Sequence, residues 1–308
     1  MPGSYAHITL ANLLREKVSK RAIPGFPDEA AGALLDYLKF VELGAESPDY
    51  PYLAVGDKKA KAWADLMHYK TTGRIIQVGV ENLRTMTGEP KRKGTAWLLG
   101  YTSHFAADVC LHPVINMKVG PYEQNQKAHR ICEMHQDVFI FDKLNVGGIQ
   151  FAEHLRSMKS CSSTKSKSRL DDDVAGLWKS ILKAVHPAEY KKNAPNMDKW
   201  HVRFTKLVDN IAEEAGRLIP IARHVATGLG LVYPLPQKLD PQYLYGLETP
   251  AGKQDYETVF TKALGHASDL WKMVSTGIYS RDTGFETGIG DWNLDTGKDP
   301  SGRLVFWG

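Results

Sequence analysis

Hydrophobic side chains recur every three to four residues along most of the chain, which is the spacing of one face of an α-helix. This pattern predicts helices over 8–20, 27–41, 56–88 with a break near 71–73, 93–119, 121–144, 196–228 and 253–279. Alternating patterns are short and runs of β-branched residues are scarce, so strands are not indicated. We therefore predict an all-α multi-helix bundle, with the strongly apolar run 93–119 as its central buried helix.

One segment interrupts the helical pattern. Residues 157–170 are rich in serine and lysine, a composition that cannot bury a core, and we expect a flexible loop there. The aspartates that follow at 171–173 are typical of a helix start, because carboxylates stabilise the positive end of the helix dipole. We expect a helical half over 1–156 and a second half over 171–308, with a tail rich in glycine, aspartate and aromatic residues, packed together as one domain.

Composition and charge narrow the class of protein. The chain is 43% hydrophobic and has a net charge of +4 from 39 basic and 35 acidic residues, which excludes a disordered chain and argues against a duplex-DNA binder. No apolar run reaches the roughly 18 residues of a membrane span, and no secretory signal is visible at the N-terminus. We expect a cytoplasmic protein, with secretion by a signal-independent route as the alternative.

The strongest chemical signal is a four-residue rhythm of polar side chains inside an apolar run. His104, Asp108 and His112 are each four residues apart, so they lie on one helix face with about 6 Å between neighbours along the axis. Neighbours at this distance can share one zinc ion, which takes nitrogen and oxygen ligands. The backbones of His104 and His112 are about 12 Å apart, so the pattern predicts at least two ions with Asp108 between them.

The next predicted helix repeats the rhythm with His129, Glu133 and Asp137. His129 and Glu133 can serve one ion together, with Asp137 one turn further as a hydrogen-bonding partner of a ligand. A single buried histidine is more often a hydrogen-bonded core residue. A buried unpaired aspartate such as Asp108 is costly, however, and the rhythm on two successive helices favours a metal site.

These two segments, together with His7, Pro48–Asp49–Tyr50 and His68 upstream, resemble the zinc-dependent phospholipase C family, which is related to the S1/P1-type nucleases. The resemblance covers about residues 5–145. It implies a helical fold around a trinuclear zinc cluster, with two to three zinc ions per chain, and the hydrolysis of phosphate diesters.

The resemblance also implies which residues hold each ion. It assigns the first zinc to Asp49, His68, His104 and Asp108, the second to His112, His129 and Glu133, and the third to His7, the other oxygen of Asp108 and the N-terminal amine and carbonyl of the chain. Asp49 is in addition the candidate general base. Removal of Met1 would leave an amine five residues before His7, the same step as in the secreted nucleases.

Three further positions are candidates for substrate binding. Tyr50 matches the tyrosine that follows the loop aspartate in the choline pocket of the bacterial phospholipases, whereas Asp65 stands where that pocket has an aromatic residue. Tyr69 could supply another aromatic surface. The substrate headgroup is therefore left open.

The predicted function is a zinc-dependent phosphodiester hydrolase, foremost a phospholipase C that cleaves glycerophospholipids with zinc-activated water. The alternatives are an S1/P1-like single-strand nuclease or phosphatase and, outside enzymes, a zinc-stabilised interaction or effector module. The presence of Asp49 favours catalysis. We expect a phospholipid substrate with transient contact to a membrane surface, and no stable nucleic-acid complex.

Overall fold

Helices form most of the regular structure of the protein. The computed structural model describes residues 3–54, 56–144, 153–213 and 233–307. Its α-helices in chain order are α1 (Ser4–Ser19), α2 (Asp28–Asp36), α3 (Leu38–Glu46), α4 (Lys58–Tyr69), α5 (Thr72–Thr85), α6 (Gly88–Val119), α7 (Tyr122–Phe141), α8 (Glu153–Lys159), α9 (Asp172–Val185), α10 (Pro187–Lys192), α11 (Met197–Glu213), α12 (Tyr256–Tyr279) and α13 (Gly284–Gly288). Two antiparallel strand pairs accompany them, β1 (Ser162–Ser163) with β2 (Ser166–Leu170) and β3 (Leu247–Thr249) with β4 (Gly252–Gln254). The all-α prediction is confirmed.

Helix α6 runs through the centre of the fold. Its residues from Gly94 to Ile115 are all buried, as expected of a helix that is apolar on every side, and α3 and α12 pack along it. The indole N–H of Trp271 on α12 donates to the carbonyl of Leu99 over 2.7 Å. Neither α6 nor another described helix combines the length and the hydropathy that crossing a bilayer requires. The central buried helix is thus present as predicted.

Two glycines let α3 and α6 cross with their backbones in direct contact. A Cβ atom on Gly44 would lie 2.1 Å from the carbonyl oxygen of Trp97, and one on Gly100 would lie 2.0 Å from that of Val41. Real Cβ atoms do not come this close, so only glycine permits the crossing. The end of α3, and with it the turn that carries Asp49, therefore lies against the middle of α6.

The helix boundaries largely follow the hydrophobic pattern. The run 27–41 is divided between α2 and α3, because Tyr37 has non-helical torsion angles (φ −123°, ψ 40°). The break near residue 71 is present, since Thr71 adopts a left-handed conformation (φ 50°) between α4 and α5. Of the predicted helix 196–228, the first part forms α11, and residues 214–228 lie outside the described ranges.

The serine- and lysine-rich segment 157–170 has more regular structure than the sequence indicates. Helix α8 ends within it and β1 and β2 form a hairpin, so the prediction of a loop there is wrong. Cys161 and Leu170 are buried, and the N–H of Leu170 donates to Asp198 of α11 over 3.1 Å. These anchors hold the polar strands against the helices. The division of the chain into halves at 156 and 171 stays a prediction.

The C-terminal tail beyond α13 lies against helices of the first half. The indole N–H of Trp307 donates to the carbonyl of Cys110 on α6 over 2.9 Å. The hydroxyl of Thr72, at the start of α5, donates to the carbonyl of Trp292 over 2.6 Å. The tail therefore contacts α6, the helix that carries three of the candidate metal ligands, and the start of α5.

Candidate metal centre

The first group of candidate ligands surrounds Asp108 on α6. His104 places its Nε2 3.2 Å from Oδ2 of Asp108, and His7 of α1 places its Nε2 3.3 Å from Oδ1. The rings of His7 and His104 are stacked with centroids 3.9 Å apart. All three side chains are fully buried, and one ligand atom from each lies within 4.8 Å of the others, so the three could hold a metal ion.

The second group shares His104 with the first. Asp49, in the turn after α3, and His68, at the end of α4, approach each other to 3.2 Å between Oδ1 and Nε2. Ligand atoms of Asp49, His68 and His104 lie within 4.8 Å of one another, and His68 Nε2 is 3.8 Å from Oδ2 of Asp108. The crossing of α3 with α6 therefore joins residues from three elements into one continuous cluster.

The third set is less tightly assembled. His129 Nδ1 lies 3.5 Å from Oε1 of Glu133, one turn along α7. The pKa of Glu133 lies below its usual value although burial alone would raise it, and the nearby His129 and His112 rings contribute to the lowering. Among the residues that the structure describes, His112, His129 and Glu133 do not bring three ligand atoms within 4.8 Å of one another.

Four of these histidines have one ring nitrogen against a main-chain carbonyl. The pairs are His68 Nδ1 with Ala64 at 2.7 Å, His104 Nδ1 with Ala45 at 2.7 Å, His129 Nε2 with Gly120 at 2.6 Å, and His112 Nδ1 with Leu294. A carbonyl only accepts, so each of these nitrogens carries the proton. In the neutral ring the other nitrogen then has a free lone pair, which is how metal-binding histidines are usually oriented.

The atoms that remain are buried and lack hydrogen bonds. They include both ring nitrogens of His7, Nε2 of His68, His104 and His112, Nδ1 of His129, Oδ1 of Asp49 and both carboxylate oxygens of Asp108. Buried polar atoms nearly always have a partner, and leaving one without a partner costs about 1–3 kcal/mol. Nitrogen and carboxylate donors in this arrangement fit zinc.

The charges of the cluster favour a cation. Burial alone would raise the pKa of Asp108, but His104 and His112 outweigh it and hold this pKa well below its usual range. Burial likewise opposes the lowering that His68 causes in the pKa of Asp49. Burial lowers the pKa of His7. Burial opposes the raising of the His104 pKa that Asp108 causes. The two carboxylates and the neutral ring of His7 supply oxygen and nitrogen donors of the kind that bind a divalent metal.

A model of the zinc-dependent phospholipase C family matches residues 6–188, which include all of these candidate ligands. The chain belongs to the zinc-dependent phospholipase C family. The family is all-α and its activity is that of a phosphoric diester hydrolase, so the enzyme class and the dependence on zinc predicted from the sequence are confirmed. No curated protein and no solved structure matches the chain.

Asp137 accepts a hydrogen bond from the main chain of α1. Its Oδ1 accepts from the N–H of Ala6 over 2.8 Å, and its Oδ2 accepts from the hydroxyl of Tyr233 over 2.7 Å. Burial raises its pKa to about 7. Asp137 thus contacts the first turn of the helix that carries His7, and its predicted role beside the His129 and Glu133 ligands stays a prediction. The N-terminal amine lies outside the described residues.

A cleft of about 1270 Å³ lies next to the cluster. Its wall includes Tyr52, Asp65 and Tyr69, and the ring of Tyr52 packs 5.9 Å from that of His68. The carboxylate of Asp65 accepts from the hydroxyl of Tyr52 over 2.8 Å and from Lys61 over 2.6 Å. The structure therefore places Asp65 and Tyr69, two of the predicted substrate-binding residues, in the wall of this cleft.

Tyr50 does not reach the cleft. Its side chain is 1% exposed, and its hydroxyl is bonded to Nδ1 of His201 on α11 over 2.8 Å. The chain makes a single 3-10 turn over Tyr50–Leu53, which points Tyr50 into the core and Tyr52 towards the cleft. The structure thus does not bring Tyr50 to the cleft, and Tyr52 lies in the cleft wall instead.

Glu46 and Leu294 also belong to this centre, and neither is predicted by the four-residue pattern. Glu46, at the end of α3, is buried with both carboxylate oxygens lacking hydrogen bonds, and burial together with Asp49 raises its pKa well above the usual value. An acidic residue at the end of an apolar helix was a signal that could have identified it. Leu294 contributes a main-chain carbonyl to His112, and no side-chain pattern could have revealed that contact.

Proposed function

We propose that this chain binds two to three zinc ions and hydrolyses the phosphodiester bond of a glycerophospholipid, releasing a diglyceride and a phosphorylated headgroup. The observation that carries the proposal is the buried group of Asp49, His68 and His104, whose ligand atoms lie within 4.8 Å of one another beside a cleft. Membership of the family supports a lipid substrate. The release of a phosphorylated headgroup and the number of zinc ions are part of the proposal.

We divide the proposed ligands among the ions as the family resemblance implies. They are Asp49, His68, His104 and Asp108 for the first ion, His112, His129 and Glu133 for the second, and His7 with the other oxygen of Asp108 for the third. The contacts of 3.2 Å and 3.3 Å from the two oxygens of Asp108 to different histidines support its place between two ions. We keep the third ion as the upper limit because its remaining ligands would come from the N-terminal residues.

The reaction requires activation of water next to an anionic phosphate. Bound zinc lowers the pKa of water and neutralises charge on phosphoryl oxygens. We propose that the ionised Asp49, whose Oδ1 lacks a hydrogen bond, accepts the proton that the attacking water releases. The water oxygen bonds to phosphorus, the bond from phosphorus to the glycerol oxygen breaks, and that oxygen takes up a proton.

The cleft is the proposed site of the headgroup. Tyr52 and Tyr69 offer aromatic surface, and Asp65 offers a carboxylate that is already bonded to Lys61. Met117, next to the cleft residue Asn116, is 51% exposed. We propose that the lipid substrate reaches the cleft during transient contact of the protein with a membrane surface.

Metal analysis combined with a substrate panel tests the proposal. The purified protein is assayed for zinc content and for hydrolysis of phospholipids with different headgroups, single-stranded nucleic acids and simple phosphodiesters, with and without chelator. We expect two to three zinc ions per chain and chelator-sensitive release of phosphorylated headgroups. Fewer than one zinc per chain, or release that is insensitive to chelator, would contradict the proposal. Cleavage of nucleic acid alone would favour the nuclease alternative.

A further inference from the structure

One residue of the C-terminal tail contacts two of the proposed zinc ligands. The carbonyl of Leu294 accepts from Nδ1 of His112, and the N–H of Leu294 donates to the carbonyl of His68 over 3.0 Å. Leu294 is itself fully buried. A single stretch of main chain thus links the end of α4 to the middle of α6 at the metal centre.

The turn that presents Leu294 is fixed on both sides. The side-chain oxygen of Asn293 accepts from the N–H groups of Asp295 and Thr296, each over 3.0 Å. The hydroxyl of Tyr69 donates to the carboxylate of Asp295, and the amide of Asn116 donates to its carbonyl, each over 2.6 Å. The turn is therefore attached to the same two helices that carry His68 and His112.

Gly297 brings the turn against the backbone of α6. A Cβ atom there would lie 2.4 Å from the carbonyl oxygen of Val109 and 2.6 Å from Cγ of Pro113, and Gly297 has a left-handed φ of +66°. Pro113 has no N–H, so the carbonyl of Val109 lacks its usual helical donor. The tail occupies this gap in the helix, immediately beside His112.

We infer that the turn 292–297, which we name the latch, positions His112 as a metal ligand. The Leu294 carbonyl holds the proton on Nδ1 and leaves the Nε2 lone pair for the ion, as the partners of metal-binding histidines do. The inference rests on the proposed function, in which His112 is a zinc ligand. The latch lies outside the matched residues 6–188. It therefore supplies a hydrogen-bond acceptor for a proposed ligand from a part of the chain that the family match does not cover.

The test compares two glycines of the tail. Gly297→Ala forces the latch away from α6, whereas Gly302→Ala has the same left-handed strain (φ +86°) with no atom within 4 Å of the added Cβ. Zinc affinity is measured by competition with a chromophoric chelator, and the ring tautomer of His112 by ¹⁵N NMR of the zinc-free full chain. We expect Gly297→Ala to weaken binding of one zinc by about 10–100-fold and to populate both tautomers, and Gly302→Ala to do neither.

A second variant guards against misfolding of Gly297→Ala. Asn293→Ala removes the acceptor that shapes the latch and adds no atom that could clash, and we expect it to weaken the same zinc. His112→Ala serves as the reference for loss of the ligand itself. If His112→Ala loses zinc while Asn293→Ala and a folded Gly297→Ala bind it as the natural chain does, the latch inference is overturned and the proposed function stands. If His112→Ala keeps all zinc with natural affinity, the ligand assignment fails, and the latch role fails with it.

Discussion

The buried histidine His201 of α11 and the buried histidines of the metal centre differ in the partner of their second ring nitrogen. His201, on α11, is bonded to hydroxyls through both nitrogens, Nδ1 to Tyr50 at 2.8 Å and Nε2 to Ser162 at 2.9 Å. In His68 and His104 the Nδ1–H donates to a main-chain carbonyl, and Nε2 faces a carboxylate. All three histidines are fully buried. Burial alone therefore does not distinguish a structural histidine from a metal-site histidine, whereas the partner of the second nitrogen does.

The region around His201 and the metal centre also differ in how they contribute to the stability of the fold. Around His201 every ring nitrogen has a partner, so that region stabilises the fold by itself. Around Asp108 several buried donors lack hydrogen bonds, each at a cost of about 1–3 kcal/mol. Without a bound cation, these atoms of the metal centre lower the stability of the fold. This cost indicates that the site serves metal binding and not folding.

Replacing Asp108 tests the metal-site half of the comparison most severely. Asp108→Asn removes the negative charge that contacts His7 and His104, so we expect loss of at least one zinc per chain and a fall in hydrolysis beyond the roughly 100-fold that supporting residues can cause. Zinc analysis and turnover measure this. His201→Gln, which changes a buried histidine away from the cluster, should keep its zinc. Natural turnover in Asp108→Asn would refute the cluster.

Removing the metal should destabilise the natural chain more than the Asp108 variant, which has already lost at least one ion. At free zinc about 1,000 times the dissociation constant, binding adds about 4 kcal/mol to the free energy of unfolding. We expect chelator to lower the stability of the natural chain and of His201→Gln by about that amount, measured by denaturant unfolding. An equal loss in Asp108→Asn would contradict the prediction that an ion bound by Asp108 stabilises the fold.

The free energy of unfolding should fall at acidic pH because of His201. Burial lowers the pKa of His201 to about 4, against about 6.5 in the unfolded chain. Below pH 6.5 the unfolded chain therefore binds a proton that the folded chain does not. The stability due to the neutral ring is complete above pH 6.5 and is lost as the pH falls towards 4, by about 3 kcal/mol in all.

The measurement is denaturant unfolding of zinc-free protein across this pH range, so that the empty metal centre contributes equally to both chains compared. His201→Gln should show a shallower decline than the natural chain. Parallel curves would contradict the lowering of the His201 pKa by burial.

The smallest expected effects separate Tyr50 from Asp65. Tyr50→Phe leaves Nδ1 of His201 without its partner, so we expect a loss of about 1–2 kcal/mol in stability with hydrolysis almost unchanged. Asp65→Asn changes the cleft, so we expect a several-fold change in preference between headgroups with stability within about 0.5 kcal/mol. Unfolding curves and a headgroup panel of both variants check this, and a headgroup change in Tyr50→Phe would contradict the buried position of its side chain.

Helical periodicity accounts for the part of the site that was predictable. Residues four apart on one helix must share a face, which is why His104 and Asp108 meet and why His129 approaches Glu133. The direction of the Tyr50 side chain could not be predicted in this way, because Tyr50 lies in a short 3-10 turn and not in a long helix. In a short 3-10 turn, the direction of each side chain depends on one or two torsion angles, and the sequence pattern did not distinguish Tyr50 from Tyr52.

The amino-acid sequence by itself determined the helical class, the central position of α6 and the identity of the metal-binding residue types, because these follow from local periodicity and side-chain chemistry. Only the tertiary structure decided how these residues are brought together. The approach of Asp49 to α6 depends on the contact between Gly44 and Gly100, and the orientation of His112 depends on a carbonyl of Leu294. Both are contacts between backbones distant in sequence, and a main-chain carbonyl has the same chemistry at every position, so no pattern of side chains encodes where it will be used.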